Sequence, residues 1–203
     1  MGNEVTGAVR AGKERHEGKI LLETSELIFR GPNYRLKLAF SEMCEVQAAN
    51  GELHIDTKDG ALTFEVGPTA EKWREKILHP KTRIQKLGVK DGTPVRLLGD
   101  FDADFMKELK ASNAKVGGAV SSTEPQNTFL AIDGKKSLAT IAKHAKKMKG
   151  AEALWLVYPK GKKEVAENDV LSAGRKSGLK DVKVVAFSAT HTALKFVIPV
   201  AKR

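Results

Sequence analysis

Residues 153–199 read ALWLVYPKGKKEVAENDVLSAGRKSGLKDVKVVAFSATHTALKFVIP. ALWLVYP is an unbroken apolar run, the pattern of a strand covered on both faces, as in a parallel sheet. A short lysine-rich loop follows it. ENDVLSAGRKSG then has helical character and closes at Gly178, placed for the left-handed cap conformation. VKVVAFS and TALKFVIP, joined by a turn at Ala189-Thr190-His191, read as an antiparallel hairpin. Strand, helix and final hairpin together describe a sheet with helices on its faces and an antiparallel end.

The alternation extends backward from this stretch. VRLLG (95–99) reads as a strand and DADFMKELKAS (102–112) as a helix. AKVGGAV (114–120) is a further strand, followed by the polar loop SSTEPQN (121–127). FLAID (129–133) is a strand, and KKSLATIAKHAKKMKG (135–150) a helix with Leu138, Ile141, Ala142, Ala145 and Met148 on one face. KTRIQKLGVKDG (81–92) reads as a linker. Ahead of it the pattern changes to short alternating strands: GKILLET, ELIFRG, YRLKLAF, MCEVQAA, ELHIDTK and ALTFEV. Asn50-Gly51 and Asp59-Gly60 supply hairpin turns. Gly67-Pro68 then opens a helix, TAEKWREKIL, with Ala70, Trp73 and Ile77 on one face and Pro80 as its stop. The residues before Gly18 read as a flexible lead-in.

The fold class expected is therefore α+β overall. A small β-barrel with a C-terminal helix occupies residues 1–80, and a Rossmann-like α/β domain ending in an antiparallel hairpin occupies residues 81–203. Charge divides at the same place. Residues 1–80 carry 11 Lys+Arg against 13 Asp+Glu, and the remainder 24 against 12. A polyanion is expected to meet the second half.

With 41% hydrophobic and 30% charged residues in 203, the chain has a globular balance and not that of a disordered one. No run approaches the ~18 apolar residues of a membrane span, and the start lacks the apolar core of a secretion signal. Cys44 is the sole cysteine, which excludes an internal disulfide and fits the cytoplasm. The five histidines lack paired ligand spacing, so no metal site is expected. Cys44 itself lies in a strand-like run, where a free cysteine is expected to be buried.

The LLET…LIFRG…LKLAF pattern with its late tryptophan helix, over residues 5–79, resembles the pleckstrin-homology superfold and its bacterial GRAM-like variety. In lipid-binding members the loop between the first two strands is basic. Taken from GKILLET onward, that loop is Glu23-Thr24-Ser25-Glu26, so the resemblance implies no phosphoinositide binding and a scaffold or protein-contact role. Residues 84–203, through KLGVKDG, VRLLG, ALWLVYPKGKK and HTALKFV, resemble an uncharacterised bacterial domain family with a reduced class I methyltransferase-like sheet. That resemblance implies a fold without an assigned activity.

A methyltransferase needs a glycine-rich turn after its first strand and a ribose-binding carboxylate after its second. Here the first turn is Gly99-Asp100-Phe101-Asp102-Ala103-Asp104, with one glycine, and Val116-Gly117-Gly118 ends the second strand without a carboxylate. Asp133 before Gly134 reads as a turn or helix cap and as a relic of a ligand site. Gly7 to Glu14 approaches a phosphate-loop pattern, but Glu14 stands where the magnesium-binding hydroxyl belongs. No cofactor is expected.

The local feature with most ligand character is Tyr158-Pro159-Lys160-Gly161-Lys162-Lys163, at the carboxyl end of a strand where open α/β sheets hold ligands. Tyr158, Lys160, Lys162 and Lys163, with Gly99, Asp100 and Asp133, are the candidate ligand-binding residues. Lys136, Lys143 and Lys147 form a second basic surface, expected to matter less than the loop lysines for holding an anion. Tyr158 is the aromatic placed to stack on a base. His191 and Thr192 are expected in a polar turn or at a pocket rim. The function expected is non-catalytic: a binding or adaptor protein for an anionic ligand or a protein partner. The alternatives are a divergent S-adenosylmethionine-dependent methyltransferase or nucleotide-binding enzyme, and a nucleic-acid-binding protein.

Overall fold

Residues 3–117 and 126–203 are described by a computed structural model, in which the chain divides into two units, Met1–Lys81 and Thr82–Arg203. The first unit has seven antiparallel strands: β1 (Asn3–Ala11), β2 (Glu14–Leu22), β3 (Glu26–Arg30), β4 (Arg35–Ala39), β5 (Met43–Ala49), β6 (Glu52–Thr57) and β7 (Gly60–Glu65). They lie in the order β4-β3-β2-β1-β7-β6-β5. The sheet curls so that Leu38 of β4 and Val46 of β5, from its two edges, share a core with Phe29, Leu53 and Phe64. Helix α1 (Ala70–Leu78) buries Ala70, Trp73 and Ile77 in that core and packs on β5 and β6. The expected small barrel is present as a curled, open sheet, in which β4 and β5 do not pair.

Two further expectations are corrected here. The lead-in is β1, paired with β2 from Asn3↔Leu22 to Ala11↔Glu14 and with β7 from Ala8 to Ala11. Glycine masks this hairpin in the sequence. Gly7 and Gly18 are register partners, and a Cβ on either would strike a backbone oxygen of the next strand, Glu65 O or Arg30 O. Glycine at such a bend admits the close approach that a curling sheet requires. Gly18→Val is expected to destabilise the unit by about 1–3 kcal/mol, measured by urea unfolding. Cys44 is exposed, since β5 carries a bulge between Met43 and Glu45 that leaves Cys44 unpaired on the outer side.

In the second unit the strands are β8 (Pro94–Leu98), β9 (Lys115–Gly117), β10 (Asn127–Ala131), β11 (Ala153–Pro159), β12 (Lys180–Ala186) and β13 (His191–Val197). Their order is β9-β8-β10-β11-β13-β12. β9, β8, β10 and β11 are parallel, β13 is antiparallel to β11, and β12 is antiparallel to β13. The helices are α2 (Arg83–Lys86), α3 (Ala103–Ala111), α4 (Lys135–Ala145) and α5 (Glu167–Lys176). One face of the sheet packs Val95, Phe129 and Trp155 against Phe105 and Leu109 of α3. The other packs Leu130, Leu154 and Leu156 against Ile141 of α4 and Val170 of α5.

The segment read as a linker belongs to this core. Ile84, Leu87 and Val89 are buried, and Thr82 caps α2 by accepting from the Gln85 amide. α4 stops at Ala145, so Lys147 lies beyond it. Of the AKVGGAV strand, residues 115–117 are β9; residues 118–120 and the loop over 121–125 lie outside the described residues.

Candidate functional site

From β8 the chain runs through α3 outward to β9, then returns to β10 on the other side of β8. The connections leaving β8 and β10 therefore diverge, and the crevice between them at the carboxyl edge is where open α/β sheets hold ligands. A cavity of about 200 Å³ lies there. Asp100, Phe101 and Asp102 reach it from β8, Asp133 from β10, Lys162 from the loop after β11, and Phe187, Ser188, Thr190 and His191 from the final hairpin.

Most of its polar groups already have partners. Asp102 caps α3, accepting from the Phe105 amide at 2.7 Å, and faces the Arg83 guanidinium at 3.2 Å. Burial, its strongest influence, pushes the Asp102 carboxyl up, but the Phe105 amide and Arg83 together carry it below the usual carboxylate range. Asp133 Oδ1 accepts from Ser137 Oγ at 2.8 Å. That bond, aided by the charge of Lys162, lowers the Asp133 carboxyl as well. Ser188 Oγ and Thr190 Oγ1 lie 3.3 Å apart, and Thr190 Oγ1 is 2.9 Å from His191 Nδ1.

The structure brings Asp100, Asp133 and Lys162 together, with His191 at the rim, and leaves Gly99, Tyr158, Lys160, Lys163 and the α4 lysines out. Gly99, with φ +92°, has no room to spare for a ligand: a Cβ there would lie 2.9 Å from Ala131 Cβ. Tyr158 is buried in the core on the α4 and α5 side, and its hydroxyl donates to Glu167 Oε2 at 2.9 Å, so it cannot stack on a base. Burial first and Glu167 second push its phenol up, keeping it a donor. Lys160 Nζ donates to the Ser188 and Ala189 carbonyls at 2.8 and 3.3 Å, bracing the hairpin. Lys163 is exposed in the short 3-10 turn Lys163–Val165. Lys136, Lys143 and Lys147 are exposed at opposite ends of α4 or just past it. Sequence reading singled out neither Phe187 nor Ser188, although the end of a hairpin strand beside ALWLVYP was a usable signal.

In the first unit, the loop between the first two strands is Gly12-Lys13, not Glu23 to Glu26, because β1 precedes the strand taken as first. Its flanking arginines are spoken for. Arg10 pairs with Glu52 and Glu65, and Arg15 with Glu17 and Glu65, the last at 2.7 Å. The Arg15 hydrogen bond holds the Glu65 carboxyl below its ordinary value. With Lys13 alone left over, the protein is expected not to sediment with phosphoinositide vesicles at physiological salt. Sedimentation abolished by Lys13→Glu would refute this.

Fold and site define an α+β chain with a curled antiparallel sheet in one unit and a mixed sheet with a polar crevice in the other. No family model and no curated protein matches the sequence. Solved structures similar to the chain include a pleckstrin-homology domain and methyltransferases. The N-terminal PH domain of human ARAP2 is 10% identical, with a TM-score of 0.34, over 50% of this chain and 93% of that one. A TehB-like SAM-dependent methyltransferase from Corynebacterium glutamicum is 11% identical, with a TM-score of 0.38, over 64% of this chain and 96% of that one. A putative methyltransferase from Thermoplasma acidophilum is 11% identical, with a TM-score of 0.34, over 93% and 94%. Among the described residues no helix is long and apolar enough to cross a membrane, and no group of three His, Cys, Asp or Glu is arranged to hold a metal.

Proposed function

We propose that the chain is a non-catalytic, cytoplasmic binding protein of two modules, residues 1–80 and 81–203, whose second module holds a small ligand in the switch-point crevice. On this reading the first module is a GRAM-like scaffold, and the second a bacterial methyltransferase-like sheet that works without the cofactor. The observation that carries it is the size of the crevice. At about 200 Å³ it is smaller than the ~300–1,000 Å³ of pockets that take drug-sized or cofactor-sized molecules. Its chemistry favours the same reading. Three carboxylates against Lys162 suit a ligand that donates hydrogen bonds, an amine or a polyol, over an anion. The hydroxyl–imidazole chain at Thr190 and His191 has no carboxylate bound to the imidazole among the described residues, so it lacks the third group of a nucleophile relay.

Melting in the presence of small amines and polyols tests this, since a ligand of the native state raises stability by linkage. A rise that Asp100→Asn abolishes is expected; no rise with any of them would count against the crevice as a binding site. The second reading, a divergent methyltransferase, is favoured by the position of Asp100 and Asp133 at the switch point. S-adenosylmethionine is expected to give no calorimetric isotherm, because Ala131 fills the space beside Gly99 and Phe101 lines the wall. A micromolar isotherm would reverse the order of the two readings.

A further inference from the structure

We propose a second, separate site in the Thr82–Arg203 unit: an anion site at the C-terminal end of α4, where Arg96, Lys143, His144 and Lys147 meet, taking the phosphate group of a small phosphomonoester. It does not rest on the crevice reading, since Asp133 lies before the start of α4 and the cluster one helix length away, ~16 Å.

The central observation is Arg96. On β8 it alternates with Val95 and Leu97, which pack on the α3 side, and so shares the α4 side with Leu98. Its Nε is buried and has no hydrogen-bond partner among the described residues. A buried donor without an acceptor is destabilising, and for a charged group more so. Lys143, Lys147 and Arg96 are cations that all act on the His144 imidazole, and none of them can accept from the Arg96 Nε. Burial first, then these charges, hold that imidazole below its ordinary value, so it stays neutral near pH 7.

Among the described residues the opposing charge is small. Thr128, the register partner of Arg96 on β10, donates to Glu152 Oε1 at 2.8 Å, and Glu152 Oε2 accepts from the Lys149 amide at 3.4 Å. The end of α4 contributes about half a negative charge. Its carbonyls are largely occupied, Ala142 O by the Lys146 amide, His144 O by Lys147 and Ala145 O by Met148. Among the described residues three full positive charges thus outweigh one carboxylate and a helix end. An acceptor with several oxygens and two negative charges fits the deficit: it can pair with the Arg96 guanidinium while the two exposed lysines close over it.

The test is the titration of the five histidines by NMR in the full chain, in inorganic phosphate and in chloride at matched ionic strength. A bound dianion stabilises the imidazolium, so the His144 midpoint should rise by about one unit in phosphate, with the other four unmoved. Arg96→Gln should abolish the rise. Because that change touches a buried residue, the exposed double variant Lys143→Gln/Lys147→Gln serves as a second arm: its melting midpoint in chloride should match the parent, and its apparent phosphate affinity should fall several-fold. An unmoved His144 midpoint, a rise shared equally by all five histidines, or an undiminished response in the double variant would each overturn the proposal. So would a shift produced by duplex DNA and not by inorganic phosphate, which would make the cluster a nucleic-acid surface.

Discussion

Trp73→Ala is expected to cost the first unit about 3–5 kcal/mol, the usual toll of emptying a buried tryptophan site. The ring is fully buried between α1 and the concave side of the sheet, among Leu53, Phe64 and Ile77. α1 is nine residues long, too short to persist by helix propensity alone, so its attachment depends on what Trp73, Ala70 and Ile77 bury. A loss of that size is comparable to the total stability of many small domains, ~5–15 kcal/mol. The chain has two tryptophans, Trp73 and Trp155, and Trp155 is buried in the second unit. In Trp73→Ala, fluorescence therefore reports the second unit alone, while far-ultraviolet circular dichroism reports both. If the two modules fold on their own, urea should unfold the strand signal of the first unit early and leave the Trp155 transition in place. A Trp155 transition that moves by the same amount would mean that the modules are one cooperative body.

What sequence reading captured and what it lost follow one physical rule. ALWLVYP, FLAID and the Trp73 helix were legible because each is a local pattern: an apolar run of strand length, or apolar residues at helical spacing before a proline. β1 was not, because the two glycines that let it approach β7 and β3 through β2 also erase its strand signature. Their cause is a pair of backbone oxygens more than ten residues away. Residues 81–92 looked like a linker because their turns and charges dominate the string, whereas Ile84, Leu87 and Val89 disclose themselves only by meeting Phe105 and Trp155. The crevice was half legible. Asp100 and Asp133 were legible because each follows directly on a strand, VRLLG or FLAID, and both line the cavity. The lysines after ALWLVYP look alike in sequence, yet Lys160 is a brace on two carbonyls and Lys162 a cavity wall. Arg96 was passed over because one arginine in a strand carries no signal until the buried Nε, unpartnered among the described residues, is visible.

Arg83 shows the same non-local logic in its strongest form, and replacing it should cost the second unit about 2–4 kcal/mol, at or below the lower end of the ~3–5 kcal/mol for breaking a buried ion pair. All five of its N–H groups are used. Nε and Nη2 donate to Glu108 at 2.9 and 3.0 Å, Nη1 and Nη2 to Asp102 at 3.2 and 3.3 Å, and Nη1 to the Phe187 carbonyl at 3.0 Å. The guanidinium also lies over the Phe105 and Phe187 rings, 5.3 and 5.0 Å from their centres. One side chain thus ties α2 to α3 and to the final hairpin. It is 13% exposed, whereas Asp102 and Glu108 are about 40% exposed and regain water when it leaves, which places the cost toward the lower end. Arg83→Lys separates geometry from charge: an ammonium keeps the attraction but cannot span two carboxylates and a carbonyl in one plane. In a Trp73→Phe background, urea midpoints followed at Trp155 should fall for both Arg83→Met and Arg83→Lys, and an Arg83→Lys midpoint equal to the parent's would show that charge alone suffices. The acid side gives a second readout. Asp102 titrates below its unfolded value, so its contribution is present above the ordinary carboxylate range and is lost as the pH falls through the folded value. Without Arg83 that depression shrinks, and part of the acid-induced loss of stability should disappear with it. Asp102 and Phe187 also line the crevice, so the same substitution should weaken any amine or polyol stabilisation there, though Arg83 is not itself among the residues lining it.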